Sequence, residues 1–222
     1  MEYYEKGKQI LLDLIEKGPR AIFERLFGKE THILFLGIDN AGKTTLLLRL
    51  KTDTVHTVAP TQSVREETLQ IGNMKVTIND LGGHEAARLG WSMYFMHSQG
   101  IIFLIDITDF DRYAIVAKTY AQLFYTMEKS GKKSLPVAVL FNKTDMWKKV
   151  WSTRHPNEPA PVLDEMYLNH LCNTLGIVVG EGENGRRVSA NYCCVVTDSI
   201  STPNNGFMLA FKWLDMMIRA EK

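Results

Sequence analysis

The chain has 222 residues, 45% hydrophobic and 23% charged, which is the make-up of a folded domain and excludes a chain that is disordered as its main state. Lys and Arg total 26 against 25 Asp and Glu, so the formal charge of +1 lacks the basic excess of a dedicated nucleic-acid binder. No uninterrupted apolar run approaches the ~20 residues of a membrane span, Met1-Glu2-Tyr3-Tyr4 does not open like a secretory signal, and Glu2 argues against N-myristoylation.

Residues 1–30 form a segment of their own. Ile10, Leu11, Leu14 and Ile15 recur at helical spacing, and Gly18-Pro19 interrupts them. Pro19 suits the first turn of a second helix, in which Ile22, Phe23, Leu26 and Phe27 share a face. Residues 31–222 follow as the main domain. His32–Leu36 reads as a buried strand ending in glycine, and a helix starts at Lys43. Glu67–Ile71 and Lys75–Asp80 read as strands around Gly72-Asn73, a hairpin signal. Ile101–Asp106 is a buried strand, Asp109–Ser130 a helix and Pro136–Asn142 another buried strand. Val150–Pro161 reads as an expanded loop, since His155–Pro161 alone holds three of the seven prolines. Leu163–Leu175 is helical, Glu181–Arg187 a polar loop, Tyr192–Val196 the last strand and Gly206–Arg219 the last helix. Alternating strands and helices predict an α/β fold, with a mostly parallel central sheet, one antiparallel edge strand and helices on both faces.

Cys172, Cys193 and Cys194 form no Cys-x-x-Cys pair, and the sequence offers no zinc spacing. Reduced thiols in a cytosolic protein are the expectation.

Gly37-Ile38-Asp39-Asn40-Ala41-Gly42-Lys43-Thr44 fits G-x-x-x-x-G-K-[ST] and lies after a strand and before a helix. Glycines let backbone N–H groups close around a triphosphate, and the helix adds its positive end. Lys43 is expected on the β and γ phosphates and the Thr44 hydroxyl on Mg²⁺. Asn142-Lys143-Thr144-Asp145 follows another buried strand, where ligands of open α/β sheets bind. The Asp145 carboxylate can accept from guanine N1–H and the exocyclic amine. Adenine offers neither donor there and would leave a buried acid unpaired, which is strongly rejecting.

Asp80-Leu81-Gly82-Gly83-His84 ends the second hairpin strand. Asp80 is expected to hold Mg²⁺ through water. The Gly83 N–H can approach a γ-phosphate closely, which makes the segment a two-state element. His84 is placed to orient an attacking water. Thr61, after Pro60 and between Thr44 and Asp80, can complete the metal shell when the γ-phosphate is present. None of these motifs contains an evident arginine finger, so slow intrinsic turnover accelerated by a partner is expected.

Together these residues resemble the Sar/Arf family of small GTPases, and within it the Sar branch that starts COPII coat assembly. Gly37–Leu47 reads almost as that family writes it, and Asp80–Arg88 with Trp91 and Tyr94 keeps its frame. Sar proteins are similar in placing histidine after the paired glycines, as His84 stands here. The resemblance implies a P-loop small-GTPase domain with an N-terminal amphipathic helix. It implies GTP or GDP held along Asp39, Asn40, Ala41, Gly42, Lys43, Thr44 and Thr45, with Asp39 near the Mg²⁺. Tyr192-Cys193-Cys194-Val195 resembles the final base-contacting strand, where Cys194 and Val195 would present backbone to guanine. It further implies an exchange factor, a GTPase-activating coat subunit, a monomeric state in solution, and a cytosolic protein peripheral on the cytoplasmic face of the endoplasmic reticulum or Golgi.

Three features depart from that pattern: the longer N-terminal segment, Gln62-Ser63-Val64-Arg65 after Thr61, and the long loop after Val150. Residues 1–30 carry six basic and six acidic side chains, so insertion into a membrane would rest on apolar contact alone. Permanent packing of the stripe on the domain is the alternative. The family resemblance favours reversible membrane insertion, with the helix docked in the GDP state and released in the GTP state. Two other functions compete with the coat-assembly switch: an Arf-like GTPase at another membrane, and a nucleotide-locked interaction scaffold with little turnover.

Overall fold

A computed structural model describes residues 30–52, 67–71, 74–78, 91–182, 185–198 and 205–220. The strands are β1 (Thr31–Leu36), β2 (Glu67–Ile71), β3 (Met74–Ile78), β4 (Gly100–Asp106), β5 (Val137–Asn142), β6 (Gly180–Glu181) and β7 (Arg187–Tyr192). The helices are α1 (Lys43–Thr52), α2 (Trp91–His97), α3 (Tyr113–Lys129), α4 (Trp147–Arg154), α5 (Glu165–Leu175) and α6 (Gly206–Ala220), with a single 3₁₀ turn at Phe110–Arg112. The sheet order is β2-β3-β1-β4-β5-β7-β6. β3, β1, β4, β5 and β7 run parallel, while β2 pairs antiparallel with β3 at one edge.

Every residue of β4 and β5 is buried, which is what helices on both faces of a parallel sheet require. Side chains alternate between two cores. Ile33, Phe35, Ile102, Leu104, Ala138 and Leu140 face Leu46, Leu50, Phe207, Phe211 and Leu214 of α1 and α6. Leu34, Leu36, Ile101, Phe103, Val137, Val139 and Phe141 face Val116, Leu123, Trp147, Leu171 and Leu175 of α3, α4 and α5. The period of two along each strand therefore distributes one apolar run over two cores. On α6, Phe207, Met208, Phe211, Leu214 and Ile218 lie at helical spacing and bury a single stripe. At α5 the Asp164 side chain accepts from the Tyr167 N–H at 2.9 Å, capping the helix start.

The expected mostly parallel sheet with an antiparallel edge is present. Four local expectations need correction. The last strand is Arg187–Tyr192, not Tyr192–Val196. It lies next to the short edge strand and fully buries only Val188, so its sequence is polar where a buried apolar run was sought. Residues 180 and 181, placed in or beside a loop by composition, form the two-residue antiparallel edge β6. Val150–Arg154 is not loop but the end of α4, whose Trp147 and Trp151 pack tilted against each other one turn apart. Trp91–His97 is a helix for which no element was expected. The N-terminal amphipathic segment, apart from Glu30, lies outside the described residues.

Candidate nucleotide site

The site sits at the carboxyl ends of β1, β4 and β5, where loops leave the sheet. Gly37 has φ +140°, and a Cβ there would stand 2.3 Å from the Leu104 carbonyl oxygen, so the loop can leave β1 against β4 only through glycine. Asn40 has φ 62°, a left-handed conformation that asparagine tolerates better than most residues. The loop then closes onto the first turn of α1, which carries no acidic residue to compete with an anion. Lys43 is buried, and its Nζ donates to the Gly37 and Ile38 carbonyls, each at 2.8 Å. The ammonium thus lies across the loop it serves.

Asn142 connects this loop to the second motif. Its Nδ2 donates to the Ala41 carbonyl at 2.9 Å, and its Oδ1 accepts the Val195 N–H at 3.1 Å. The side chain is buried, so both bonds are formed away from water. Gly42 has φ +102°, and a Cβ on it would lie 2.3 Å from that same Nδ2. Lys143 has φ 68° and points back to Asp106 at the end of β4, with 2.6 Å between Nζ and Oδ2. Asp106 Oδ1 accepts from the Thr108 N–H at 2.9 Å and its hydroxyl at 2.6 Å. The Asp145 carboxylate accepts from the Cys194 thiol at 3.1 Å. Thr144 Oγ1 donates to the Cys193 carbonyl at 3.2 Å.

Cys193, Cys194 and Val195 are buried beyond the end of β7. Burial pushes the Cys193 thiol well above its ordinary value. The Cys194 N–H donates to Asp198 Oδ2 at 2.9 Å, and the Asp198 N–H returns to the Cys194 carbonyl at 2.7 Å. Burial raises the Asp198 carboxyl, while that N–H bond and the charge of Arg49 act against it. The N–H groups of Cys194 and Val195, expected beside guanine, are therefore engaged by Asp198 and Asn142.

Asp39, Asn40, Ala41, Gly42, Lys43, Thr44 and Thr45 share the phosphate loop and its helix, and Asn142, Lys143, Asp145, Cys194 and Val195 flank it. Asp39 is held by Arg112, which donates from Nη1 to Oδ1 at 2.8 Å and from Nη2 to the Asp39 carbonyl at 3.2 Å. Thr61, Asp80, Gly83 and His84 lie outside the described residues. Among the described residues no three His, Cys, Asp or Glu side chains converge as a metal cluster. Two residues received no role from sequence reasoning. Asp106 closes a seven-residue buried strand. An acid at the carboxyl end of a parallel strand is a legible signal of a site. Arg112 had no signal of its own, because its partner is 73 positions away.

The fold and this cleft define a P-loop small-GTPase domain. Residues 20–214 match the model of the Arf, or ADP-ribosylation factor, family. The chain is similar to the small COPII coat GTPase SAR1 of Encephalitozoon cuniculi, at 38% identity over 98% of this chain and 93% of that protein. The crystal structure of an E. cuniculi Sar1 GTPase in complex with GDP aligns with TM-score 0.72 at 36% identity, covering 99% of this chain and 94% of the other. ADP-ribosylation factor 3 of Arabidopsis thaliana is 37% identical over 56% of this chain and 68% of its own length. The chain belongs to the Arf family of small GTPases and is a GTP hydrolase.

Proposed function

We propose that this chain is a Mg²⁺-dependent GTP switch that joins a membrane in its GTP state and starts assembly of a COPII-like coat in transport from the endoplasmic reticulum to the Golgi. The observation that carries the nucleotide part is the Asn142 side chain, which bonds the phosphate loop and the base-reading loop at once. Residues that touch the two ends of one nucleotide are thereby locked to each other. The coat role is supported by similarity to a small COPII coat GTPase along nearly the whole chain, against little more than half of it for the Arf relative. His84 after Gly82-Gly83 supports the same branch.

In this reading Lys43 neutralises the β and γ phosphates, Asp145 accepts from the guanine edge, and Asn142 and Lys143 hold the loops that present them. Thr61 and Gly83 sense the γ-phosphate, and His84 orients the attacking water. Mg²⁺ suits the donor chemistry of the residues that would hold it: the Thr44 hydroxyl, Thr61 and Asp80 would supply hard oxygen ligands, with water and phosphate oxygens completing the shell. The Asp39 carboxylate rests on Arg112. When bound, the metal supplies charge that offsets the negative charge of the phosphates.

Residues 1–30 act as a separate membrane-binding segment ahead of the GTPase domain of residues 31–222. No described helix is long and apolar enough to cross a membrane. In this reading attachment is peripheral and rests on the amphipathic segment. An exchange factor and a GTPase-activating coat subunit complete the cycle around a monomer. Flotation of the full chain with liposomes, with GDP and with a non-hydrolysable GTP analogue, tests the switch. Greater flotation with the analogue is expected. Equal flotation would leave a GTPase that is no membrane switch.

A further inference from the structure

α4 runs into a proline-rich stretch at its C-terminal end, and it packs onto a single 3₁₀ turn. The three residues of that turn face different partners. The Phe110 ring meets Trp147 at 5.6 Å and Trp151 at 5.9 Å between centroids, and the Arg154 guanidinium carbon lies 5.6 Å from its centre. Asp111 takes Arg154 in a two-pronged pair, one prong at 2.7 Å, and its carboxyl is held below its usual value by that bond. Arg112 turns the other way, onto Asp39 of the phosphate loop, with its Nε on Asp109 at 2.6 Å.

One 3₁₀ turn has little stability of its own, and the Asp109 side chain does not cap it. Besides its junction with α3, it is held by the edge-on contacts of Phe110 with Trp147 and Trp151 and by the Asp111–Arg154 pair to α4. What it holds is a loop with left-handed backbone at Asn40 and Gly42, and it grips both the carbonyl and the carboxylate of Asp39. A cradle held in its binding shape loses less freedom when nucleotide arrives, and the difference appears mainly in the dissociation rate.

We infer that α4 is a brace which, through Phe110 and Asp111, seats Arg112 on Asp39, and that this contact slows the release of guanine nucleotide. Arg112 is then a positioning residue, acting through Asp39, and Arg154 acts through Asp111 one step further out. The inference rests on the guanine-nucleotide reading above and adds a determinant of nucleotide lifetime outside the nucleotide motifs.

The test loads the full chain with N-methylanthraniloyl-GDP in Mg²⁺ and follows its release into excess unlabelled GDP. Arg112→Gln should release about threefold to tenfold faster, the range for losing a partly exposed pair with a second hydrogen bond. Arg154→Gln should release about twofold faster. Asp39→Asn combined with Arg112→Gln should be no faster than the quicker single variant, a non-additivity that general loosening of the fold would not produce. Added salt should accelerate the wild type more than Arg112→Gln. Arg219→Gln, which removes an exposed pair with Asp215 on α6, is the control and should match the wild type. Wild-type release from Arg112→Gln, full additivity with Asp39→Asn, or wild-type release from Arg154→Gln would each overturn the brace. A wild-type chain that takes up no labelled GDP would instead overturn the nucleotide reading itself.

Discussion

Replacing Asn142 by alanine removes a side chain that joins the two nucleotide motifs. The substitution strands two backbone groups: the Ala41 carbonyl loses a donor at 2.9 Å and the Val195 N–H an acceptor at 3.1 Å. Ala41 and Val195 are both at most 1% exposed, so water reaches neither without opening the loops. Leaving a buried polar group unmatched costs about 1–3 kcal/mol, which for two groups gives about 2–5 kcal/mol, with partial relaxation at the upper end. Urea unfolding of nucleotide-stripped protein measures that loss directly. Titration calorimetry with GDP should show affinity falling at least about tenfold, since the phosphate loop and the base loop no longer hold each other. Asn142→Asp separates the two halves of the effect. It keeps the acceptor for Val195 but donates to Ala41 only when protonated, so its folded state favours the protonated acid. Its stability should therefore be higher at low pH and decline as the pH rises, whereas Asn142→Ala shows no such recovery. An Asn142→Ala protein destabilised by less than about 0.5 kcal/mol, the usual scatter of neutral surface changes, would refute the reasoning.

Asp145→Ala should lower GDP affinity by at least about a hundredfold and narrow the preference over ADP, checked by competition binding; preserved guanine preference would move base recognition elsewhere. His84→Leu should bind GTP yet barely hydrolyse it, even with an activator, and normal phosphate release by that variant would remove His84 from the mechanism. Stability should also fall in alkali. Burial raises Cys172 to about 11 from an ordinary 9.0 and also lifts Cys193 well above 9.0. These raised values favour the protonated folded state, so the stabilisation is complete below 9.0, where both states hold the proton, and is lost as the unfolded thiols ionise first. Two thiols give about 2.7 kcal/mol per pH unit once the pH is well past 9.0, read as a falling urea midpoint; a flat midpoint to the folded value of about 11 would contradict it.

The nucleotide cleft was legible because its constraints are local in sequence. A buried strand, a glycine turn and a helix start fall within a few residues, and the same holds for the strand leading into Asn142. The strands of the sheet centre were legible for a related reason: β4 and β5 are buried on both faces and are apolar up to the polar residues, Asp106 and Asn142, that end them at the site. β7 was misplaced because a strand beside the sheet edge can stay polar, while Cys193–Val195 are apolar for packing under the base loop and not for pairing. α4 escaped because its aromatic stripe spans barely two turns, is interrupted by lysines and runs into a proline-rich stretch. Asp106 was legible as the acid that ends a buried parallel strand, whereas Arg112 escaped for another reason. A pair such as Arg112 with Asp39 joins separate elements, and neither partner's neighbours encode the other.

The two motifs of the cleft specify each other physically, which explains why their joint occurrence carries more than either alone. Gly42 lacks the Cβ that would strike Asn142, and Asn142 fills the space that the missing Cβ leaves. A side chain at position 42 would therefore meet two separate penalties. One is steric, 2.3 Å from an amide nitrogen that is itself bonded to Ala41, and shortening Asn142 would relieve it only by stranding Ala41 and Val195. The other is the φ of +102°, which costs any L side chain about 1–3 kcal/mol whatever stands opposite. No single exchange at either position escapes both, so the glycine of the phosphate loop and the asparagine a hundred residues later are bound into one requirement. A chance glycine turn has no reason to meet such a partner, whereas a cleft that must grip one nucleotide at both ends needs this cross-tie between its phosphate and base loops.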